Sequence, residues 1–228
     1  RIDPLEWNFA LSLCDLDPEL IKLANKECLL SSTYEPSSKT KMKLRAAPGA
    51  GTMYLQSECA EALAELFAGA EEAGYKLYLK SAYRAYKTQK TMYNNRLERN
   101  NGKDDGWVSK PGASDHQTGL GCDVVPGSWK DKSMNSNMAS TPECQWMAEH
   151  CYEYGFVIRY PEDKQDITEI NYEPWHLRYV GKEVARYIWR NGLCLEEFHE
   201  QLQAAIDAYL AAGGDARRVE DLIQTSAE

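Results

Sequence analysis

No stretch of about 18 apolar residues occurs in the 228-residue chain, so no segment is suited to cross a membrane as a helix. Positive charge is also short: 26 Lys and Arg stand against 35 Asp and Glu, a formal net charge of −9. Without a basic stripe, general affinity for nucleic acid or an anionic membrane surface is not expected. Internal repeats are missing as well. The seven cysteines, Cys14, Cys28, Cys59, Cys122, Cys144, Cys151 and Cys194, include no CxxC pair, which excludes a zinc finger or a thioredoxin-like motif. They read as small core residues, with Cys14–Cys28 the one bridge considered. So many free thiols in an exported protein would fit a reducing habitat. No signal peptide is visible, yet the chain opens at Arg1. A mature form cut downstream of an export signal or anchor is expected, hence an extracytoplasmic location, with a cytoplasmic one as the alternative.

What is present is ordinary for a globular chain: 43% hydrophobic and 27% charged residues, enough for one core with a small appendage. Residues 1–50 are irregular and read as an arm, 51–200 as the main domain and 201–228 as a helical C-terminal extension. Ser57 reads as the N-cap of a helix carrying Leu63, Leu66, Phe67 and Ala70, closed by Gly74. Tyr75–Lys80 alternates as a strand, and Tyr86–Arg99 is a polar helix. Strands are expected at Cys122–Val125, Phe156–Tyr160 and Trp175–Val180, and a helix from Pro142 to Gly155. Helices follow at Val184–Arg190 and Leu195–Ala212, the second with Phe198, Leu202, Ile206 and Leu210 on one stripe. Helices and strands without a βαβ rhythm indicate α+β.

Four histidines can each be weighed. His150 shares a helix face with Met147 and Tyr154 and reads as a packed core residue. His199, among Glu196, Glu197 and Glu200, reads as solvated. His116 and His176 are different. His116 precedes Asp123 by seven positions, with Gly119 and Gly121 between them to allow a tight turn and close backbone approach. His176 follows Glu173-Pro174-Trp175, and Pro174 keeps Glu173 out of helical geometry. Two imidazoles and one carboxylate are the protein ligands of an open catalytic zinc site. Beside them Glu173 could take a proton from water and return it to a leaving amine. Arg84, after the Tyr75–Lys80 strand, suits a carboxylate clamp and transition-state charge. An isolated His-x6-Asp proves nothing, and Arg84 alone could be a surface ion pair. Cys122 alternates away from Asp123 and reads as core, not as a ligand.

The stretches SAYRAYKTQ (81–89), GASDHQTGLGCDVV (112–125), GFVIRYP (155–161) and EPWHLRYVG (173–181) together resemble the VanY-type D-alanyl-D-alanine carboxypeptidases. These are zinc peptidases that include peptidoglycan L,D-carboxypeptidases. The resemblance runs over roughly residues 57 to 198. It implies a single α+β domain whose small antiparallel sheet, flanked by helices, holds Zn2+ through His116, Asp123 and His176. It also implies Glu173 as catalytic base, Arg84 as carboxylate binder and catalytic helper, and Ser114 and Gln89 in the substrate groove. Asp115 stands where glutamate is common and Cys122 where a small or aliphatic residue is common; neither is expected to touch a ligand. The partner expected is a peptidoglycan stem peptide or its precursor, acted on by a monomer. D,D-cleavage is the leading expectation and L,D-cleavage of tetrapeptide stems the second. A non-catalytic peptidoglycan-binding module with structural zinc is the reading from another class.

Overall fold

The computed structural model describes residues 13–227. Residues 1–12 of the expected arm lie outside that range. A two-residue pairing of β1 (Thr40–Lys41) with β2 (Tyr54–Leu55) precedes helix α1 (Ser57–Glu72). The cap of α1 is Gln56, whose side-chain oxygen accepts from the Cys59 N–H; Ser57, expected as the cap, instead bonds Ser38 with its hydroxyl at 2.7 Å. Helix α1 buries Leu63 and Leu66 fully, each stabilising the fold by roughly 1.5–3 kcal/mol.

Next come β3 (Leu77–Ser81), α2 (Tyr86–Arg99), β4 (Gly121–Pro126), α3 (Pro142–His150), β5 (Phe156–Ile158), α4 (Gln165–Thr168) and β6 (His176–Tyr179). Thr141 caps α3 through its hydroxyl, and Pro142 takes the first turn, where its missing N–H costs nothing. The four longer-range strands form an antiparallel sheet in the order β3-β4-β6-β5. Alternation assigns the two faces. Phe156 and Leu177 join the core with α1 and α3, whereas Val157 joins a second cluster with α5 (Lys182–Asn191), α6 (Leu195–Ala211) and Leu13, Ile21 and Leu23 of the arm. All seven cysteines are free, Cys14 and Cys28 included, and Cys122 is wholly buried. Among the described residues no helix is long and apolar enough to cross a membrane.

Two histidines exchange the places expected of them. His150 is half-buried at the surface, its Nδ1 3.1 Å from Glu153 Oε1 and its ring stacked on Trp146. His199 is buried, with Nε2 donating to the Ile21 carbonyl at 2.6 Å. The arm covers that side of α6, and the stripe ends at Ile206, because Leu210 is exposed. Burial pulls the His199 imidazole down to about 4. Its neutral form is therefore favoured in the fold: the stabilisation is complete above the unfolded value of about 6.5 and is lost as pH falls towards 4. His199→Gln, which keeps a donor for Ile21, is expected to flatten the fall in stability between pH 6.5 and 4, by roughly 3 kcal/mol at the lower limit. Thermal melts across that window measure it.

Candidate metal centre and active site

The sheet brings the chemistry together. In the register of β4 with β6, Asp123 stands directly opposite His176, and in that of β3 with β4 Ser81 stands opposite Asp123. Directly opposed residues of antiparallel strands project to the same face. His116 lies on a single 3-10 turn, Asp115–Thr118, capped by the Ser114 hydroxyl, which accepts from the His116 N–H at 3.2 Å. Gly119 then takes a left-handed φ of 71° and reverses the chain into β4. At Gly121 a Cβ would come within 2.8 Å of Asp115 Cβ, so only glycine lets the turn lie against the strand.

One ligand atom from each of His116, Asp123 and His176 lies within 4.8 Å of the others, and all three residues are buried. A tetrahedral zinc with bonds of about 2.05 Å would separate its ligands by about 3.3 Å. His116 Nε2 and His176 Nδ1 lie 3.4 and 2.9 Å from Asp123 Oδ1, so the donor set fits such an ion. Protonation points the same way. His116 Nδ1 is 2.7 Å from the Ala82 carbonyl, which only accepts, so the proton sits on Nδ1. The Nε2 lone pair then faces a carboxylate oxygen, two acceptors opposed in a dry site, which a cation between them reconciles. Burial and Arg84 both push the His116 imidazole down and keep it neutral, as a ligand must be. Burial acts upward on Asp123, yet its carboxyl is held well below the usual carboxylate range. Burial opposes charge on His176, but Asp115 and Asp123 lift it to about 9 in the metal-free protein.

Glu173 reaches the same point by a turn. Its carbonyl accepts from the His176 N–H at 3.2 Å, closing the four-residue turn Glu173–His176 with Pro174 in second place, where its fixed φ is suited. Glu173 Oε2 stands 3.9 Å from His176 Nδ1. Burial, aided by Asp123, pushes the Glu173 carboxyl up to about 8 against the pull of His176 and Arg84. A divalent cation in the three-ligand site would act in the opposite sense.

Arg84 is fixed from three sides: its N–H donates to the His116 carbonyl at 3.0 Å, and its guanidinium donates to Gln89 Oε1 at 2.9 Å and Ser81 Oγ at 3.0 Å. Gln89 is itself buried and anchored to the Ser109 carbonyl. The residues expected in the site, His116, Asp123, His176, Glu173 and Arg84, line one cleft of about 380 Å³, which Ser114 and Gln89 also border. Gln89 acts on Arg84 rather than standing free. The same cleft has walls that the sequence left unassigned. Trp107 stacks on Trp175 with centroids 6.5 Å apart, Asn135 and Arg96 also line the cleft, and the buried Tyr160 ring lies 5.1 Å from that of His176. A tryptophan in a loop with glycine at 102, 106 and 112 was the available signal.

Asp115 departs from expectation. Its Oδ2 lies 3.7 Å from His176 Nε2, so it does approach a metal-site histidine. Neighbouring side chains along a tight turn need not diverge as they do along a strand.

The VanY D-alanyl-D-alanine carboxypeptidase family matches residues 52–182. The protein YodJ of Bacillus subtilis is 39% identical over 191 residues, 82% of this chain and 70% of its own. The L,D-carboxypeptidase LdcB superposes with a TM-score of 0.75 at 37% identity, over 83% of this chain and 96% of that one. The vancomycin-resistance D,D-pentapeptidase VanY of a VanB-type cassette, solved as a glutamate-to-alanine variant with Zn(II), gives 0.65 at 28% identity, over 79% of this chain and 98% of that one.

Proposed function

The chain belongs to the VanY family of D-alanyl-D-alanine carboxypeptidases, and from that membership we propose a zinc-dependent D,D-carboxypeptidase that removes the terminal D-alanine from peptidoglycan stem peptides outside the cytoplasm. The observation that carries this reading is the convergence of His116, Asp123 and His176 within 4.8 Å, with Glu173 beside them and Arg84 on the same cleft. Zinc in such a site is a Lewis acid that polarises a carbonyl and makes water a nucleophile at neutral pH. Glu173 takes the proton of the attacking water and delivers it to the leaving amine, first as base and then as acid. Arg84 grips the free C-terminal carboxylate with two parallel donors, which selects the last peptide bond. Trp107 and Trp175 offer a flat apolar wall against the substrate chain.

One observation favours a second reading, L,D-cleavage of tetrapeptide stems: LdcB is more alike in fold and sequence than the D,D-pentapeptidase. Synthetic penta- and tetrapeptide stems, assayed for D-alanine, test both. Release from the pentapeptide alone supports D,D-cleavage, release from the tetrapeptide alone the second reading. No release from either by zinc-loaded protein would overturn both and leave the non-catalytic binding module. Stripping the metal with a chelator should abolish release, and one equivalent of Zn2+ should restore it.

A further inference from the structure

Asp115 has no part in the chemistry above, yet it is completely buried. Arg178 pairs with its Oδ1 at 2.9 Å and Arg159 with its Oδ2 at 2.9 Å, and both arginines are themselves buried. Beyond Asp115, Arg159 donates to the two oxygens of Glu196, in the first turn of α6, at 2.7 and 2.8 Å. Arg178 donates to the Leu20 and Lys22 carbonyls of the arm at 2.9 and 2.7 Å. Two positive and two negative groups share this dry interior, where none would be tolerated without its partners.

The remaining side of Asp115 faces the metal centre. His176 Nε2 is a buried atom without a hydrogen-bond partner, and it faces Asp115 Oδ2 at 3.7 Å, whose other neighbour is the Arg159 guanidinium. One can carry a proton and the other can accept it. His176 turns Nδ1 towards Asp123 and Nε2 towards Asp115. Only a ring protonated at Nε2 leaves the Nδ1 lone pair for a metal.

We propose that Asp115 is a positioning residue: it holds the Nε2 proton of His176, fixing tautomer and ring angle so that Nδ1 serves the metal, while Arg159 and Arg178 hold Asp115 in place. The proposal rests on His176 being a metal ligand. It makes the arm at residues 20–22 and the start of α6 part of what steadies the centre, through Arg178 and Arg159. Outer partners of ligating histidines typically change metal affinity about 10–100-fold.

Long-range proton–nitrogen NMR of the zinc-loaded protein should find His176 protonated on Nε2 and bare on Nδ1. Competition against a chelator should find zinc held about 10–100-fold more weakly by Asp115→Asn, with circular dichroism unchanged, and Asp115→Glu should recover part of the loss. A proton on Nδ1 of His176, or zinc affinity within about twofold of wild type in a folded Asp115→Asn, overturns the proposal. If that variant does not fold, the wild-type spectrum decides. Wild-type protein that takes up no zinc would instead overturn the metal reading, and this proposal with it.

Discussion

Glu173→Gln is expected to lower kcat about 10²–10⁴-fold, equivalent to roughly 3–5 kcal/mol of transition-state stabilisation, with zinc content and fold unchanged. Glutamine matches the shape of the side chain but cannot take a proton from water. The three proposed ligands are separate side chains, so a bound metal has no reason to leave. The pH profile supplies a second readout. As the proposed base Glu173 must be a carboxylate, so kcat/KM should fall on the acid side as Glu173 gains its proton, and the residual activity of Glu173→Gln should lack that limb. Burial places the Glu173 carboxyl at about 8 in the metal-free protein, and a bound dication moves the limb below that value. Stopped assays from pH 5 to 9 with matched metal analyses make the measurement. Unchanged turnover in the glutamine variant would remove Glu173 from the chemistry.

Arg84→Ala should show the next largest loss, and its signature is selective. On a stem peptide with a free C-terminus kcat/KM should fall about 10²–10³-fold, the loss of two charge-assisted hydrogen bonds of roughly 1.5–3 kcal/mol each offset in part by water. On the C-terminally amidated peptide the wild type should already be poor, and the substitution should change little. Equal losses on both substrates would mean that Arg84 serves the reacting carbonyl or the fold rather than the chain end. Arg84→Lys tests the geometry: lysine keeps the charge but cannot donate two parallel bonds while also reaching Gln89 and Ser81.

Local signals explain how much of this was legible beforehand. The Tyr86–Arg99 helix has the bounds that the sequence predicts, because polar helix formers fill it and no breaker interrupts them. The approach of His116 to Asp123 was readable from Gly119 and Gly121, whose missing side chains have a direct physical use. Pro174 announced the turn that presents Glu173. Long-range packing was not readable. A helical wheel tells which residues share a face but not what covers that face, so His150 and His199 were exchanged; the partner of His199 is Ile21, 178 positions away. Asp115 was noted but expected to stand clear of the ligands for the same reason, since Arg159, Arg178 and Glu196 gather round it from distant parts of the chain.

The proposed ligands and Glu173 stand on strands, a tight turn and a closed β-turn, whereas Trp107 and Asn135 come from the two long loops before and after β4. The proposed metal site and the rim of the cleft are therefore built by separate segments of the chain. Substitutions in residues 102–112 or 127–137 can reshape that rim without touching the proposed ligands or Glu173. Grafting either loop between relatives is the natural route to exchanging one appetite for another.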